Sequence, residues 1–159
     1  MSTTGPATSA APSVPLVKTV TVPVGVDRAF ELFTEEMSRW WPLVTHSVGE
    51  AQATGVTLEG RLGGRIVETL ADGSTSVWGT VTAWEPPGVV AFTWHPGRGA
   101  DEATAVEMHF TEADGGTFVR LSHSGWAARD DAGSAWRSYD TGWERVLARY
   151  ARLASGAAG

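Results

Sequence analysis

Hydrophobic and polar residues alternate along most of the central part of the chain. In the run from Val89 to His95, for example, Val90, Phe92 and Trp94 share one face of an extended chain. Alternation with a period of two is typical of a half-buried β-strand. Together with a β-branched run near the N-terminus, this pattern predicts seven strands, at residues 16–22, 55–59, 65–70, 75–85, 89–95, 104–112 and 117–124.

The segments between the predicted strands are rich in glycine and proline. Asp72-Gly73, Pro86-Pro87-Gly88 and Asp114-Gly115-Gly116 supply the fixed or positive φ angles that tight turns need. Because short turns join neighbouring antiparallel strands, we expect a β-meander. In the strand at residues 75–85 the inward face stays open, since Val77, Val81 and Ala83 alternate with Trp78, Thr80, Thr82 and Trp84.

Two short helices are predicted between the first two strands. Asp27 is a candidate N-cap for a helix that carries Phe30. A second short helix leads through Met37 to Trp41, where Pro42 ends it.

A long amphipathic helix is predicted at residues 130–154. Gly142 lies within its apolar face, where glycine costs about 1 kcal/mol relative to alanine. We therefore expect this glycine to let the backbone approach the sheet or to leave room for a ligand. The apolar face, whose members recur at intervals of three and four, comprises Trp136, Tyr139, Trp143, Val146, Tyr150 and Leu153.

Composition divides the chain into a tail and one domain. Residues Met1 to Pro15 are rich in Ser, Thr, Ala and Pro, which predicts a disordered tail. Residues 16–155 are of a length typical of a single domain. The chain has eight Trp among 159 residues, an unusual number for a residue that favours buried surfaces and ligand pockets.

Charge and motif content narrow the range of functions. A net charge of -6 with scattered basic residues disfavours nucleic-acid binding. The four His show no metal-binding spacing, and no glycine-rich phosphate loop is present, so we expect neither a metal nor a cofactor. There is no apolar run of about 20 residues and no signal-peptide pattern, so we expect no membrane span and a cytoplasmic location.

Several short sequence features occur in a characteristic order over residues 16–153. They are Val26-Asp27-Arg28-Ala29-Phe30, Trp40-Trp41-Pro42, Gly63-Gly64, Asp72-Gly73, Trp84-Glu85-Pro86-Pro87, Thr93-Trp94 and Gly142-Trp143. In this order the chain resembles the START-like (SRPBCC) superfamily, which includes birch-pollen-allergen-like proteins. Within it, the chain is similar to the bacterial branch of activator of heat-shock protein ATPase homologues.

The resemblance implies an α+β helix-grip fold. In this fold a curved antiparallel β-sheet of six to seven strands wraps around a long C-terminal α-helix, and two short helices follow strand 1. It also implies a cavity for a small hydrophobic molecule, but it carries no shared catalytic motif.

Phasing of the strands and of the long helix predicts most of the side chains that surround such a cavity. Trp41 lies at the end of the second short helix, and Trp78 lies on the strand whose inward face stays open. For the aromatic residues, a place in the core is an equally open interpretation. The predicted ligand-binding residues are Trp41, Glu68, Trp78, Phe92, Trp94, Met108, Leu121, His123, Trp136, Tyr139 and Trp143.

Glu68 and His123 are the ionisable residues that the phasing places among apolar neighbours. They could hold the polar end of a ligand or act as base and acid, with Tyr139 as a further partner. Alternatively, each lies at a strand end in water, or the phase is wrong by one residue.

Three functions therefore remain open at the level of the sequence. The first is a carrier or sensor of a small hydrophobic molecule, without catalysis. The second is a cyclase, dehydratase or hydrolase on the same fold, and the third is a chaperone-associated adaptor that binds protein. We expect a monomer or a homodimer.

Overall fold

Seven antiparallel strands form one continuous sheet in the computed structural model, which describes residues 14–158. All but the last two residues of the predicted tail, Met1 to Pro15, lie outside the described residues. The order across the sheet is β1-β7-β6-β5-β4-β3-β2. The strands are β1 Leu16–Val22, β2 Ala53–Leu58, β3 Arg65–Leu70, β4 Thr75–Glu85, β5 Val89–Trp94, β6 Thr104–Ala113 and β7 Gly116–Ser124.

Three α-helices of the described residues cover one face of this sheet. Helices α1 (Val26–Glu35) and α2 (Met37–Trp40) connect β1 to β2, and α3 (Ala132–Ala158) follows β7. The predicted helix-grip architecture is confirmed, including the seven strands and the two short helices after strand 1.

The start of α1 differs from the prediction. Gly25, not Asp27, is the N-cap residue, and no side chain caps the helix. Asp27 lies in the first turn instead, where a carboxylate still interacts favourably with the helix dipole.

The predicted inward face of the central strands is confirmed. The side chains of β5, β6 and β7 that alternation assigned to the interior are all buried, and both ionisable residues assigned to it, Glu68 and His123, are fully buried as well. The inward residues of these three strands are Val90, Phe92, Trp94, Val106, Met108, Phe110, Val119, Leu121 and His123.

Strand β4 contains two irregularities that explain why its inward face could not be read from alternation. The register of β4 shifts against β3 between Ile66 and Val67, and against β5 between Val81 and Ala83. Each shift reverses the faces of the residues that follow it. As a result Trp78 and Val81 are both buried, and Trp84 packs against the core as well.

The two short helices are fixed to α3 through buried aromatic residues. The Trp40 indole N–H donates a hydrogen bond to the carbonyl of Leu32, and the Tyr150 hydroxyl donates to the carbonyl of Ala29. The rings of Trp40 and Tyr150 meet edge to face, with centroids 5.3 Å apart. This packing closes one end of the space between sheet and α3, and the candidate site lies beyond it.

Candidate functional site

A cavity of about 320 Å³ lies between α3, the end of β5 and the loop that follows α2. We call residues 42–49 the cavity loop. The cavity is lined by Trp41, Thr45, His46, Ser47, Val48, Trp94, Pro96, Gly97, Ser138, Tyr139, Gly142, Trp143 and Val146.

Three indole rings form the apolar wall. Trp41, Trp94 and Trp143 contact one another, with ring centroids 5.5 to 5.9 Å apart. The ring of Tyr139 stacks beside Trp143 at 6.2 Å. These four residues come from α2's end, from β5 and from α3, so folding brings distant parts of the chain together here. The cavity therefore presents flat aromatic surfaces that suit a flat apolar molecule.

Helix α3 contributes one continuous strip to the cavity. Tyr139, Gly142, Trp143 and Val146 have the spacing of residues on one helical face. A methyl group in place of the Gly142 hydrogen would lie 3.8 Å from the imidazole of His46, which is an ordinary van der Waals distance. The absent side chain of Gly142 thus leaves open space between the helix and the cavity loop.

The cavity loop is held by Glu68. Its carboxylate accepts hydrogen bonds from the backbone N–H groups of Val48 at 2.9 Å and Gly49 at 2.8 Å. It also accepts the Trp78 indole N–H at 2.8 Å. Glu68 is buried and does not line the cavity. Its acceptors are used by the protein itself, so it positions the loop that forms one cavity wall.

His123 also lies outside the cavity, directly behind two of its walls. The Trp143 indole N–H donates to Nδ1 of His123 at 3.0 Å. Because Nδ1 accepts, the neutral ring carries its proton on Nε2, which donates to Thr104 Oγ1 at 2.6 Å. Burial, with a smaller contribution from Arg129, lowers the pKa of His123 to about 3. The ring is thus neutral and joins α3 to the sheet.

The other predicted ligand-binding residues divide into walls and core. Trp41, Trp94, Tyr139 and Trp143 line the cavity. Trp136, on α3, is partly buried and does not line it. The remaining four are buried in the core and do not line it either: Trp78, Phe92, Met108 and Leu121.

Sequence reasoning missed the polar residues of the cavity loop. His46 lines the cavity, and its carbonyl accepts the Trp41 indole N–H at 2.7 Å. Burial and the nearby Arg145 guanidinium lower the pKa of His46, which favours its neutral form. The sequence feature that could have indicated these residues is the polar run Thr45-His46-Ser47, which lies in a long segment without helix or strand pattern. Such loops often carry functional residues.

Two further observations concern membranes and metals. No helix within residues 14–158 combines the length and apolar character needed to cross a membrane. In the same part of the chain, no three His, Asp or Glu side chains converge in a way that could hold a metal ion.

Comparison with known proteins identifies relatives of the same fold. A family model described as activator of Hsp90 ATPase homolog 1-like protein matches residues 23–155. Comparison with curated proteins gave no match.

Three solved structures illustrate the likeness. Protein MLL2253 from Mesorhizobium loti is 18% identical, with a TM-score of 0.63 over 87% of this chain and 95% of that one. The anthrahydroquino-γ-pyrone synthase Txn09, solved in complex with SUM, is 28% identical, with a TM-score of 0.60 over 89% of this chain and 99% of that one. DynU16, a protein of the dynemicin biosynthetic locus, is 21% identical, with a TM-score of 0.67 over 91% of this chain and 49% of that one. The chain belongs to the activator of Hsp90 ATPase homolog 1-like family of the SRPBCC superfamily.

Proposed function

We propose that this protein binds a small, flat hydrophobic molecule in the cavity between the sheet and α3, as a carrier or sensor. The observation that carries the proposal is the convergence of Trp41, Trp94 and Trp143 on one cavity. Each indole contributes an apolar face, and such faces stack favourably on aromatic rings.

The size of the cavity supports this function. Its volume of about 320 Å³ is at the lower end of the range in which small-molecule sites fall. Aromatic walls with a few polar groups at the side, here Thr45, His46 and Ser138, are typical of sites that enclose a ligand and fix its orientation. A molecule of two or three fused rings fits this description.

The positions of Glu68 and His123 favour binding over catalysis by those residues. Both side chains lie outside the cavity. The Glu68 carboxylate already accepts three N–H groups, and both nitrogens of His123 are hydrogen-bonded. Neither group is available to exchange a proton with a molecule in the cavity.

A titration with prodan tests the proposal. Prodan is a neutral, flat naphthalene whose emission shifts to the blue in apolar surroundings. We expect the wild-type protein to bind it and Gly142→Leu to weaken binding at least tenfold, because the new side chain fills the cavity. Gly156→Leu is the matched control, since Gly156 lies on the same helix, away from the cavity, with open space around it. Equal affinity of all three proteins would contradict the proposal.

A second candidate function is cyclisation of an aromatic substrate. Two groups that could exchange protons favour it: the imidazole of His46 and the hydroxyl of Tyr139, both of which line the cavity. The likeness to a γ-pyrone synthase points in the same direction. These two residues, and not Glu68 and His123, would then act as base and acid.

The cyclase candidate has its own test. Isomerisation of 2′-hydroxychalcone to flavanone closes a pyranone ring: the phenol oxygen bonds to the enone β-carbon while the phenol proton passes to a base and the α-carbon is protonated. Acceleration by the wild-type protein that is lost in His46→Gln would support the cyclase. Equal rates with and without protein would contradict it for this substrate class.

The adaptor hypothesis rests on the family description alone. The large exposed apolar side chains of the described residues belong to separate segments: Val14 before β1, Val17 and Phe118 on strands, Val44 and Val48 in the cavity loop, and Leu62 in a turn.

A further inference from the structure

The buried indole N–H groups of this protein differ in whether the protein provides a hydrogen-bond acceptor for them. Most of them donate to an acceptor that the fold provides, whereas Nε1 of Trp94, which is only 2% exposed, and Nε1 of Trp136, which lies outside the cavity, make no hydrogen bond of normal geometry. Among the buried Trp residues, the satisfied donors are Trp40 to Leu32 O, Trp41 to His46 O, Trp78 to Glu68, Trp126 to His123 O and Trp143 to His123 Nδ1.

Trp94 is also a cavity wall. A buried donor without an acceptor costs about 1–3 kcal/mol, so an acceptor that entered the cavity would relieve this cost. This makes Trp94 different from Trp41 and Trp143, whose N–H groups are already used.

A second donor lies beside Trp94. The Tyr139 hydroxyl oxygen faces Nε1 of Trp94 and the Arg129 guanidinium as a weak acceptor, and its contact with Trp94 falls short of normal hydrogen-bond geometry. Burial raises the pKa of Tyr139, and these two neighbours oppose the rise in pKa. Both neighbours can only donate hydrogen bonds, so neither can accept the hydroxyl proton of Tyr139. That proton is available to a group in the cavity.

Charged groups of both signs lie around the cavity. None of the lining residues is acidic. The Arg145 charge acts on His46, and the charges of Arg129 and Arg98 act on Tyr139. Arg129 and Arg98 form ion pairs with Asp131, and Arg98 also pairs with Glu102 and Asp130, so neighbouring carboxylates largely balance their positive charges. Aromatic walls alone would also suit a cationic ligand, but the N–H donor of Trp94 and the O–H donor of Tyr139 on these walls favour a ligand with an acceptor oxygen.

We infer that the cavity selects a flat aromatic ligand with an acidic or conjugated oxygen, of the hydroxyquinone or ionised-phenol class, and that Trp94 Nε1–H and Tyr139 Oη–H donate hydrogen bonds to that oxygen. This inference rests on the proposed function, because it names the ligand class of the same cavity. Hydrogen bonds to a charged oxygen are stronger than those to a neutral one, so the ionised form binds more tightly.

Three probes of similar size separate ring stacking from oxygen recognition. 2-Hydroxy-1,4-naphthoquinone is ionised at neutral pH, 2-methyl-1,4-naphthoquinone has uncharged carbonyl acceptors, and 2-methylnaphthalene has no acceptor. The chain contains no Cys that a quinone could alkylate. Measured by calorimetry, affinity is expected to decrease in that order, by roughly tenfold at each step.

Conservative variants assign the effect to the two donors. Trp94→Phe and Tyr139→Phe each keep an aromatic ring. Each should lower the affinity for the hydroxyquinone roughly tenfold and change the affinity for 2-methylnaphthalene less than threefold. Trp41→Phe is the matched control, because its N–H already donates to His46 and its loss should affect the three probes equally. Circular dichroism establishes that each variant is folded.

Two outcomes would overturn the inference, and they are distinguishable. The first is that 2-methylnaphthalene binds as tightly as the hydroxyquinone, or that both donor variants lower the affinity for all probes equally. Oxygen recognition is then excluded, but binding of a hydrophobic ligand in the cavity is not. If none of the three probes binds and prodan also fails to bind, the proposed function fails with it.

Discussion

The indole N–H of Trp143, on α3, donates a hydrogen bond of 3.0 Å to Nδ1 of His123, on β7. His123 continues the connection through Thr104, whose hydroxyl donates to the backbone carbonyl of Trp94. The cavity walls Trp143 and Trp94 are therefore joined by a buried polar network that requires a neutral imidazole. This network gives the site a measurable dependence on pH.

Stability should decrease as the pH falls through the titration range of an exposed histidine. In the unfolded chain His123 has a pKa of about 6.5. In the folded protein burial lowers its pKa to about 3. Between these values the unfolded state binds the additional proton, so the free energy of unfolding should fall by up to about 1.4 kcal/mol per pH unit. Urea unfolding between about pH 7 and pH 5 measures this slope.

The variant His123→Gln should have a smaller slope over the same range. His46, whose pKa is also lowered, contributes in the same direction, and His46→Gln serves as the comparison. Most carboxylates titrate below about pH 5 and stay out of this window. A slope in His123→Gln equal to that of the wild type would contradict the assignment of a neutral, buried ring.

Glu68 should stabilise the cavity loop. A Gln side chain offers one acceptor oxygen and places an NH₂ group against N–H donors, so Glu68→Gln should destabilise the protein by about 2–3 kcal/mol. The amides of Val48 and Gly49, which bond to the carboxylate, should exchange with deuterium faster. Glu85→Gln, on an exposed residue, should change neither quantity. Unchanged exchange at these two amides would exclude a loop-anchoring role.

Two glycine substitutions should have opposite effects on stability. At Gly142 a new methyl group meets only the His46 ring, at 3.8 Å, so Gly142→Ala should stabilise α3 by about 0.5–1 kcal/mol. At Gly79 the same group would lie 1.7 Å from the carbonyl oxygen of Thr93, so Gly79→Ala should destabilise the sheet severely. Thermal unfolding of both variants tests the pair, and a destabilised Gly142→Ala would show that the open space at Gly142 is misassigned.

Much of the fold follows from local sequence patterns. Strands β3 and β4 begin and end at the predicted residues, because alternation, Asp72-Gly73 and Pro86-Pro87-Gly88 are signals carried by near neighbours. The inward face of β4 cannot be predicted from local patterns, because its bulges depend on the register with β3 and β5. Alternation cannot locate a bulge, since the inserted residue has no signature of its own.

The candidate site was predicted only in part, for a similar reason. Periodicity assigns Trp94, Tyr139 and Trp143 to the interior, and these three residues line the cavity together with Trp41, which belongs to no periodic pattern. Periodicity placed Glu68 and His123 in the interior correctly, but their hydrogen-bond partners lie on the cavity loop and on α3, far away in the sequence. Which buried polar groups face a cavity and which bond to the protein is decided by these tertiary contacts.

The most direct test of the account is a crystal structure of the protein in complex with prodan. The naphthalene ring is predicted to lie against Trp94 and Trp143, with Gly142 facing its edge. A ring bound on the outer face of the sheet, or in the groove formed by Arg28, Arg39 and Arg149, with the aromatic cavity lacking a ligand, would contradict the central claim.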